Sequence, residues 1–261
     1  MMSALYVITP VFNEAGNIPR LFEAFRDLHQ RYAECYRVTI IIVNDGSTDD
    51  TLAQIEAYKG ELPVQILSHV INYGPGRAFG TAFSYLADKL QPDDWVLTME
   101  GDNTSRHQTV QTMLRRAVEE GYQVILASPY MYGGGVINTT SLRVILSKVA
   151  NQFVKEAMGV HGIFTTSSFF RLYRGEVILV LQQHYGPAII ERDGFECMLE
   201  VLIKMMNLGV SISEVPMVLD TSLRVGRSKM KILRTIRGYF AIFGRLKHWR
   251  RDAQDKQRVM V

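Results

Sequence analysis

Val38-Thr39-Ile40-Ile41-Ile42-Val43 runs directly into Asn44-Asp45-Gly46-Ser47-Thr48-Asp49-Asp50-Thr51. The first six residues are all β-branched and leave no polar face. That is the pattern of a strand covered on both sides in a parallel sheet. In the polar run behind it, Gly46 permits a tight turn and Ser47 or Thr48 can cap the next helix. Capping accounts for Thr48 and Asp49. It does not account for Asp45, which falls at the carboxyl edge of the strand, where open α/β sheets bind ligands.

Outward from this strand the same alternation repeats. Leu5 to Ile8 predicts a strand, and Asn17 to Tyr32 a helix with Ile18, Leu21, Phe22, Phe25 and Leu28 on one face. Asp49 to Tyr58 predicts a helix, Val64 to His69 a strand, Gly76 to Leu90 a helix, Trp95 to Met99 a strand, Gln108 to Glu120 a helix and Val124 to Ala127 a strand. Such alternation implies a mainly parallel central sheet with helices on both faces. The second half is less regular. Tyr132 to Thr140 is Gly-rich and reads as a loop, Ser141 to Met158 as a helix, and Gly194 to Leu208 as a helix ended by Gly209. Val210 to Val215 reads as a strand stopped by Pro216, and a last helix runs from Ser228 to about Arg251.

Four strand ends carry polar or turn-forming residues that packing does not require. The first is Thr9-Pro10-Val11-Phe12-Asn13-Glu14, which an ordinary helix-capping loop could also explain. The second contains Asp45. The third is Asn72-Tyr73-Gly74-Pro75-Gly76-Arg77, a Gly-rich helix start that suits a phosphate, with a guanidinium beside it. The fourth is Glu100-Gly101-Asp102-Asn103-Thr104. Two acids one residue apart at a strand end can aim at one hard cation, which shares its oxygen ligands with substrate phosphates.

Taken together, the four loops resemble glycosyltransferase family 2, and the chain is similar to its dolichyl-phosphate mannosyltransferase-like branch from about residue 5 to 235. Pro10 to Glu14 matches the family's Pro-x-Tyr-Asn-Glu segment, with Phe12 as the aromatic. Asp45-Gly46-Ser47, Asn72 to Gly76, and Glu100-Gly101-Asp102 match its Asp-Gly-Ser, Asn-x-Gly-x-Gly and Asp-x-Asp motifs. Further on, Thr166 to Arg174, Asp193-Gly194-Phe195-Glu196, Leu199-Glu200, Glu214-Val215-Pro216 and Arg224-Val225-Gly226-Arg227-Ser228-Lys229 follow the order of that branch. Glu100 stands where the branch carries Asp, and Pro129 where it carries Arg.

The resemblance implies a GT-A type nucleotide-sugar-binding fold and an inverting, metal-dependent hexosyl transfer to a polyprenyl phosphate. It implies that Pro10, Phe12, Glu14, Asp45, Gly76 and Arg77 hold the nucleotide-sugar, either GDP-mannose or a UDP-hexose. Asp45 can accept from N3–H of uracil or N1–H of guanine alike. Glu100 and Asp102 would hold Mg²⁺ or Mn²⁺ against the diphosphate. Ser168 lies in the acceptor-side segment, and Arg224, Arg227 and Lys229 would meet phosphate groups. Asp102, Asp193, Arg224 and Lys229 are the catalytic candidates; Asp193 either orients an acceptor, acts as a base or caps a helix. The catalytic domain would run from 1 to 229, with a nucleotide half (1–130) and an acceptor-side half (131–229). A soluble sugar acceptor, or a non-catalytic nucleotide-sugar-binding homologue, remains compatible with the same motifs.

Charge is unevenly spread. Ten basic and no acidic residues lie between Arg224 and Arg251, leaving 19 of the 29 Lys and Arg against all 26 Asp and Glu. In 230–261, Ile232, Leu233, Ile236, Tyr239, Phe240, Phe243 and Leu246 fall within one broad helical arc, opposite Lys231, Arg234, Arg237 and Arg245. Residues 230–251 thus predict a basic amphipathic helix on an anionic membrane surface, although a helix packed on the sheet would show the same pattern. A homodimer or a membrane-spanning partner protein could use that apolar face. No run approaches the roughly 18 apolar residues of a membrane span, and no basic region precedes Leu5 as in a signal peptide. A peripheral position on the cytoplasmic face of a membrane is expected. Cys35 and Cys197 follow no metal or redox spacing, no histidine pair has metal-ligand spacing, and no nucleic-acid recognition motif accompanies the basic stretch.

Overall fold

The computed structural model describes residues 2–226 and 232–259. Strands β1 (Ala4–Val11), β2 (Arg37–Asp45), β3 (Val64–His69) and β4 (Trp95–Thr98) alternate with helices α1 (Ile18–Tyr32), α2 (Thr51–Tyr58), α3 (Pro75–Leu86) and α4 (Thr109–Glu120). They are followed by β5 (Val124–Ser128), β6 (Gly135–Ile137), α5 (Ser141–Met158), β7 (Arg171–Arg174), α6 (Gly175–Tyr185), α7 (Cys197–Asn207), β8 (Ile212–Pro216), β9 (Val218–Asp220) and α8 (Ile232–Val259). The main sheet has seven strands in the order β3-β2-β1-β4-β7-β5-β8. β1 lies parallel to β2 in the register Val7↔Ile40 and Ile8↔Ile41, and β4 and β3 extend it in parallel on either side. Only β7 runs against its neighbours, between β4 and β5.

The β-branched run of β2 is buried from Ile40 through Val43 because each face meets a separate apolar layer. On one face Ile41 and Val43 join Phe79, Phe83, Val177, Met198 and Leu202 beneath α3, α6 and α7. On the other, Ile40 and Ile42 join Phe22, Phe25, Ile55, Val110 and Met113 beneath α1, α2 and α4. Full burial of each such side chain contributes about 1.5–3 kcal/mol. This two-sided core fixes the four parallel strands so that β1 to β4 deliver their loops to one edge.

Several expectations need correction. The Gly-rich stretch 132–140 contains β6, which pairs in parallel with β9 in a separate two-stranded sheet. Three residues are too few to show a period of two. Helix α3 stops at Leu86 rather than Leu90, and α7 starts at Cys197 rather than Gly194. Helix α8 reaches Val259, and among its described side chains the buried positions are Gly238, Ile242, Leu246 and Trp249. Ile242, Leu246 and Trp249 belong to the same apolar layer as α3 and α7. The proposed arc is therefore split: Leu246 packs inward, while Phe240 and Phe243 stay outside, 67% and 55% exposed.

Candidate active site

The loops after β1 and β2 are stitched crosswise. Asn13 sits at φ 52°, a left-handed conformation that Asn tolerates better than most residues. From there its N–H donates to Ser47 Oγ at 3.0 Å, and its Oδ1 accepts from Thr48 N–H at 2.7 Å. Glu14 N–H donates to Thr51 Oγ1 at 2.7 Å. The Glu14 carboxylate accepts from Asn17 Nδ2. Pro10 and Phe12 lie partly exposed beside this junction.

Asn17 is buried and gathers two distant segments. Its backbone carbonyl accepts from Asn103 Nδ2 at 3.0 Å. Its side-chain amide clasps the Val225 backbone at both ends, accepting from Val225 N–H at 3.0 Å and donating to Val225 O at 3.3 Å. That clasp delivers the neighbouring Arg224, whose Nε and Nη2 both lie 2.5 Å from Asp102 Oδ2. Asp102 Oδ1 accepts from Thr104 N–H at 3.1 Å and from its hydroxyl at 2.6 Å, a local turn that fixes the carboxylate. Gly101 is required here: a Cβ would come 2.8 Å from Pro10 O. The close approach brings the acid pair against the first loop. Glu100 pairs with the Ser105 hydroxyl. Burial first, and the Asp102 carboxylate second, push Glu100 up to about 7.

A second cluster forms where the third loop meets the segment before α7. Asp45 is buried, and its carboxylate accepts from Tyr73 and Gly74 N–H groups at 3.0 and 2.8 Å and from His69 Nδ1 at 2.7 Å. Gly74 and Gly76 press against the same backbone: added Cβ atoms would come 2.4 Å from Asp193 O and 1.8 Å from Arg192 O. Gly76 N–H donates to Asp193 O at 2.9 Å. In sequence these glycines suit a phosphate. In the structure their small size serves the close passage of 192–193, and the Gly76 N–H is already used. Arg77, largely exposed, and the half-buried Asp193 pair at 3.4 Å. Asp193 is not a helix cap, since α7 starts four residues later.

The acceptor-side candidate Ser168 uses its hydroxyl to accept from Phe170 N–H at 3.1 Å. Arg171, fully buried, donates to Ser168 O and Thr166 O at 2.7 and 2.9 Å and so holds that turn. Glu214 accepts from Phe164 and Thr165 N–H groups at 2.5 and 2.8 Å just before it. Arg227 and Lys229 lie outside the described residues.

No group of three or more His, Cys, Asp or Glu suited to a metal occurs among the described residues. The described residues do not build a closed cage. It offers two adjacent carboxylates, which fit a hard cation that completes its shell with phosphate oxygens and water. The raised Glu100 supports that fit, because a divalent cation between Glu100 and Asp102 would relieve the repulsion between them. Sequence reasoning found the acid pair but missed Asn17 and His69. Nothing local marks these roles, because Val225 lies 208 positions from Asn17 and Asp45 lies 24 from His69.

A model of glycosyl transferase family 2 matches residues 6–180. A polyprenol monophosphomannose synthase of Mycolicibacterium smegmatis is 29% identical over 227 residues, covering 86% of this chain and 80% of that protein. A dolichyl-phosphate β-glucosyltransferase of Trichomonas vaginalis is 26% identical over 260 residues, covering 94% and 75%. Among solved structures, a mannosyltransferase from Pyrobaculum calidifontis in complex with GDP-Man and Mn²⁺ superposes with a TM-score of 0.60 at 15% identity, covering 94% of this chain and 65% of that one. This last likeness concerns the fold.

Proposed function

Because the chain belongs to glycosyl transferase family 2, in its dolichyl-phosphate mannosyltransferase-like branch, we propose that it transfers a hexose from a nucleotide-sugar to a polyprenyl phosphate at a membrane surface, with inversion and with Mg²⁺ or Mn²⁺. It is a glycosyltransferase; the donor, acceptor, cation and stereochemistry are the proposal. The observation that carries it is the meeting of Glu100, Asp102 and Arg224 at the end of β4, with Arg224 drawn from 122 residues away. Two carboxylates and a guanidinium together suit a cation–diphosphate group.

In the proposed reaction an acceptor phosphate oxygen attacks the anomeric carbon while the bond from that carbon to the donor diphosphate breaks. The acceptor is already ionised near neutral pH, so no proton has to move. Catalysis then rests on positioning and on charge at the leaving group. A divalent cation held by Glu100 and Asp102 would neutralise part of the diphosphate charge. Arg224 supplies a second positive charge beside that site, and Asn17 holds it there through Val225. Arg77 and Asp193 form the other candidate wall, where Asp193 can orient the incoming acceptor.

The raised Glu100 gives a pH test. A carboxyl that titrates near 7 in the fold and near 4.5 when unfolded keeps its proton on folding, so in the metal-free protein its contribution to stability falls as pH rises across that window. The proton also competes with a cation. Mn²⁺-dependent nucleotide binding is therefore expected to weaken by roughly tenfold per pH unit below about 7. Calorimetry of UDP or GDP with Mn²⁺ between pH 5.5 and 8 checks this, and a flat profile would remove Glu100 from the cation site.

A lipid acceptor requires a membrane-facing surface, and no described helix is long and apolar enough to cross a bilayer. Support for surface docking comes from α5, where Ile145, Val149 and Phe153 recur every four residues and are 57%, 60% and 65% exposed. Lys148 and Lys155 flank this stripe, with Phe164 beside Lys155. α8 packs alongside, Arg250 donating to Met158 O at 3.3 Å, and adds the exposed Phe240 and Phe243. Exposed aromatics with basic flanks suit an anionic interface. Val149→Glu with Phe153→Glu is expected to lower partitioning onto anionic vesicles by about tenfold or more. Nucleotide binding should not change. Sedimentation with vesicles checks this, and undiminished partitioning would refute the α5 surface.

A further inference from the structure

Strand β3 ends on His69, whose ring is held at both nitrogens. Nδ1 lies 2.7 Å from Asp45 Oδ1, and Nε2 lies 2.9 Å from Thr81 Oγ1 on α3. An ionised carboxylate can only accept, so Nδ1 carries the proton, and Nε2 faces the Thr81 hydroxyl, which can serve as donor or acceptor. The His69 and Asp45 side chains are 11% and 4% exposed, and Tyr73 packs edge-on to the imidazole at 5.4 Å. The imidazole thus ties the carboxyl edge of β2 to the helix that begins at the Gly-rich loop.

The consequence lies in the acceptor positions left on Asp45. Each carboxylate oxygen has about two. Oδ1 accepts from His69 Nδ1–H and Tyr73 N–H, and Oδ2 accepts from Gly74 N–H. Among the described residues Oδ1 is therefore full, and Oδ2 keeps one position. From this geometry we infer that His69 makes Asp45 a reader of a single base N–H, so that the chain selects uridine over guanosine nucleotides. The inference rests on the reading that Asp45 faces the donor base.

Uracil offers one donor, N3–H, on the edge concerned. Guanine offers N1–H and the exocyclic amine side by side, a pair that a free carboxylate meets with both oxygens. With Oδ1 occupied, one guanine donor is left without a partner. A buried unpaired donor lowers affinity by about tenfold or more. His69 acts here through Asp45, as a positioning residue.

The test is calorimetry of UDP and GDP, each with Mn²⁺, on the full chain as wild type, His69→Ala and His69→Asn. Wild type is expected to favour UDP by about tenfold or more. His69→Ala frees a position on Oδ1, and the preference should collapse toward one. His69→Asn, whose Nδ2–H can stand in for the imidazole donor, should restore it. A histidine that only stabilised the fold would weaken both nucleotides equally and leave the ratio alone. GDP binding to wild type as tightly as UDP, or an unchanged ratio in His69→Ala, would overturn the inference while leaving the nucleotide reading intact. If neither nucleotide bound any folded variant, the nucleotide reading would fall and this inference with it.

Discussion

Replacing Asp102 by asparagine is expected to lower sugar transfer by about 10³-fold while the protein stays folded. The substitution isolates charge from shape. An asparagine oxygen can still accept from the Thr104 N–H and hydroxyl, which Asp102 Oδ1 does at 3.1 and 2.6 Å. The local turn therefore survives. The negative charge facing Arg224 is lost, and with it half of the acid pair. Three effects then act in the same direction: a cation loses one of its two protein ligands, the guanidinium loses its anchor, and charge on the departing diphosphate is poorly met. The side chain is 14% exposed and its bond to Arg224 is charge-assisted, so the fold should lose about 1.5–3 kcal/mol. Asp102→Ala should abolish transfer as well. Turnover and the thermal midpoint of purified variants, measured with and without Mn²⁺, check the prediction. Unchanged turnover in either variant would remove the cation site from the mechanism.

The largest stability effect is expected at Lys204. Its ammonium is fully buried and donates to Ala188 O and Glu200 Oε1, each at 2.5 Å, and to Ile189 O at 3.2 Å. The rings of Tyr185 and Trp249 lie 4.9 and 4.7 Å away. Glu200 in turn accepts from the Glu191 and Arg192 N–H groups, and Glu191 accepts from Trp249 Nε1 at 3.0 Å. One buried ion pair thus fastens α7, α8 and the segment leading to Asp193. Lys204→Met fills the space but leaves Glu200 charged and unpaired, at a cost of about 3–5 kcal/mol. Burial already raises Glu200, against the lowering by Lys204. In the variant the carboxyl should take up a proton as pH falls, so the defect should shrink toward acid. Adding Glu200→Gln should recover much of the loss. Urea unfolding at pH 8 and pH 5.5 separates these cases, and a loss below 1 kcal/mol in Lys204→Met would show that the network is not needed.

How far the sequence carried the structure depended on the range of the contacts. The all-β-branched Val38–Val43 could pack only as a doubly covered strand, and β2 is that strand. Glu100 and Asp102 were legible because two acids close a buried strand. β7 was not legible: its four residues begin and end on arginine, and its antiparallel place between β4 and β5 comes from strands far away in the chain. The glycines of the third loop fit a phosphate-binding helix start in sequence, whereas in the fold they permit the close passage of the backbone of Arg192 and Asp193. In α8 the apolar residues were visible, but which of them faced the core depended on α5 and α7. The clasp of Asn17 on Val225 and the hold of His69 on Asp45 join elements that only the folded chain brings together.

The most direct measurement is transfer of radiolabelled sugar from a panel of nucleotide-sugars to polyprenyl phosphate in anionic vesicles, with Mn²⁺ or with a chelator. The proposed function predicts that one donor delivers label to the lipid fraction, that the chelator stops it, and that Asp102→Asn lacks it. If a folded protein that binds a donor moved no label to lipid, yet glycosylated a soluble acceptor, the polyprenyl-phosphate reading would be wrong.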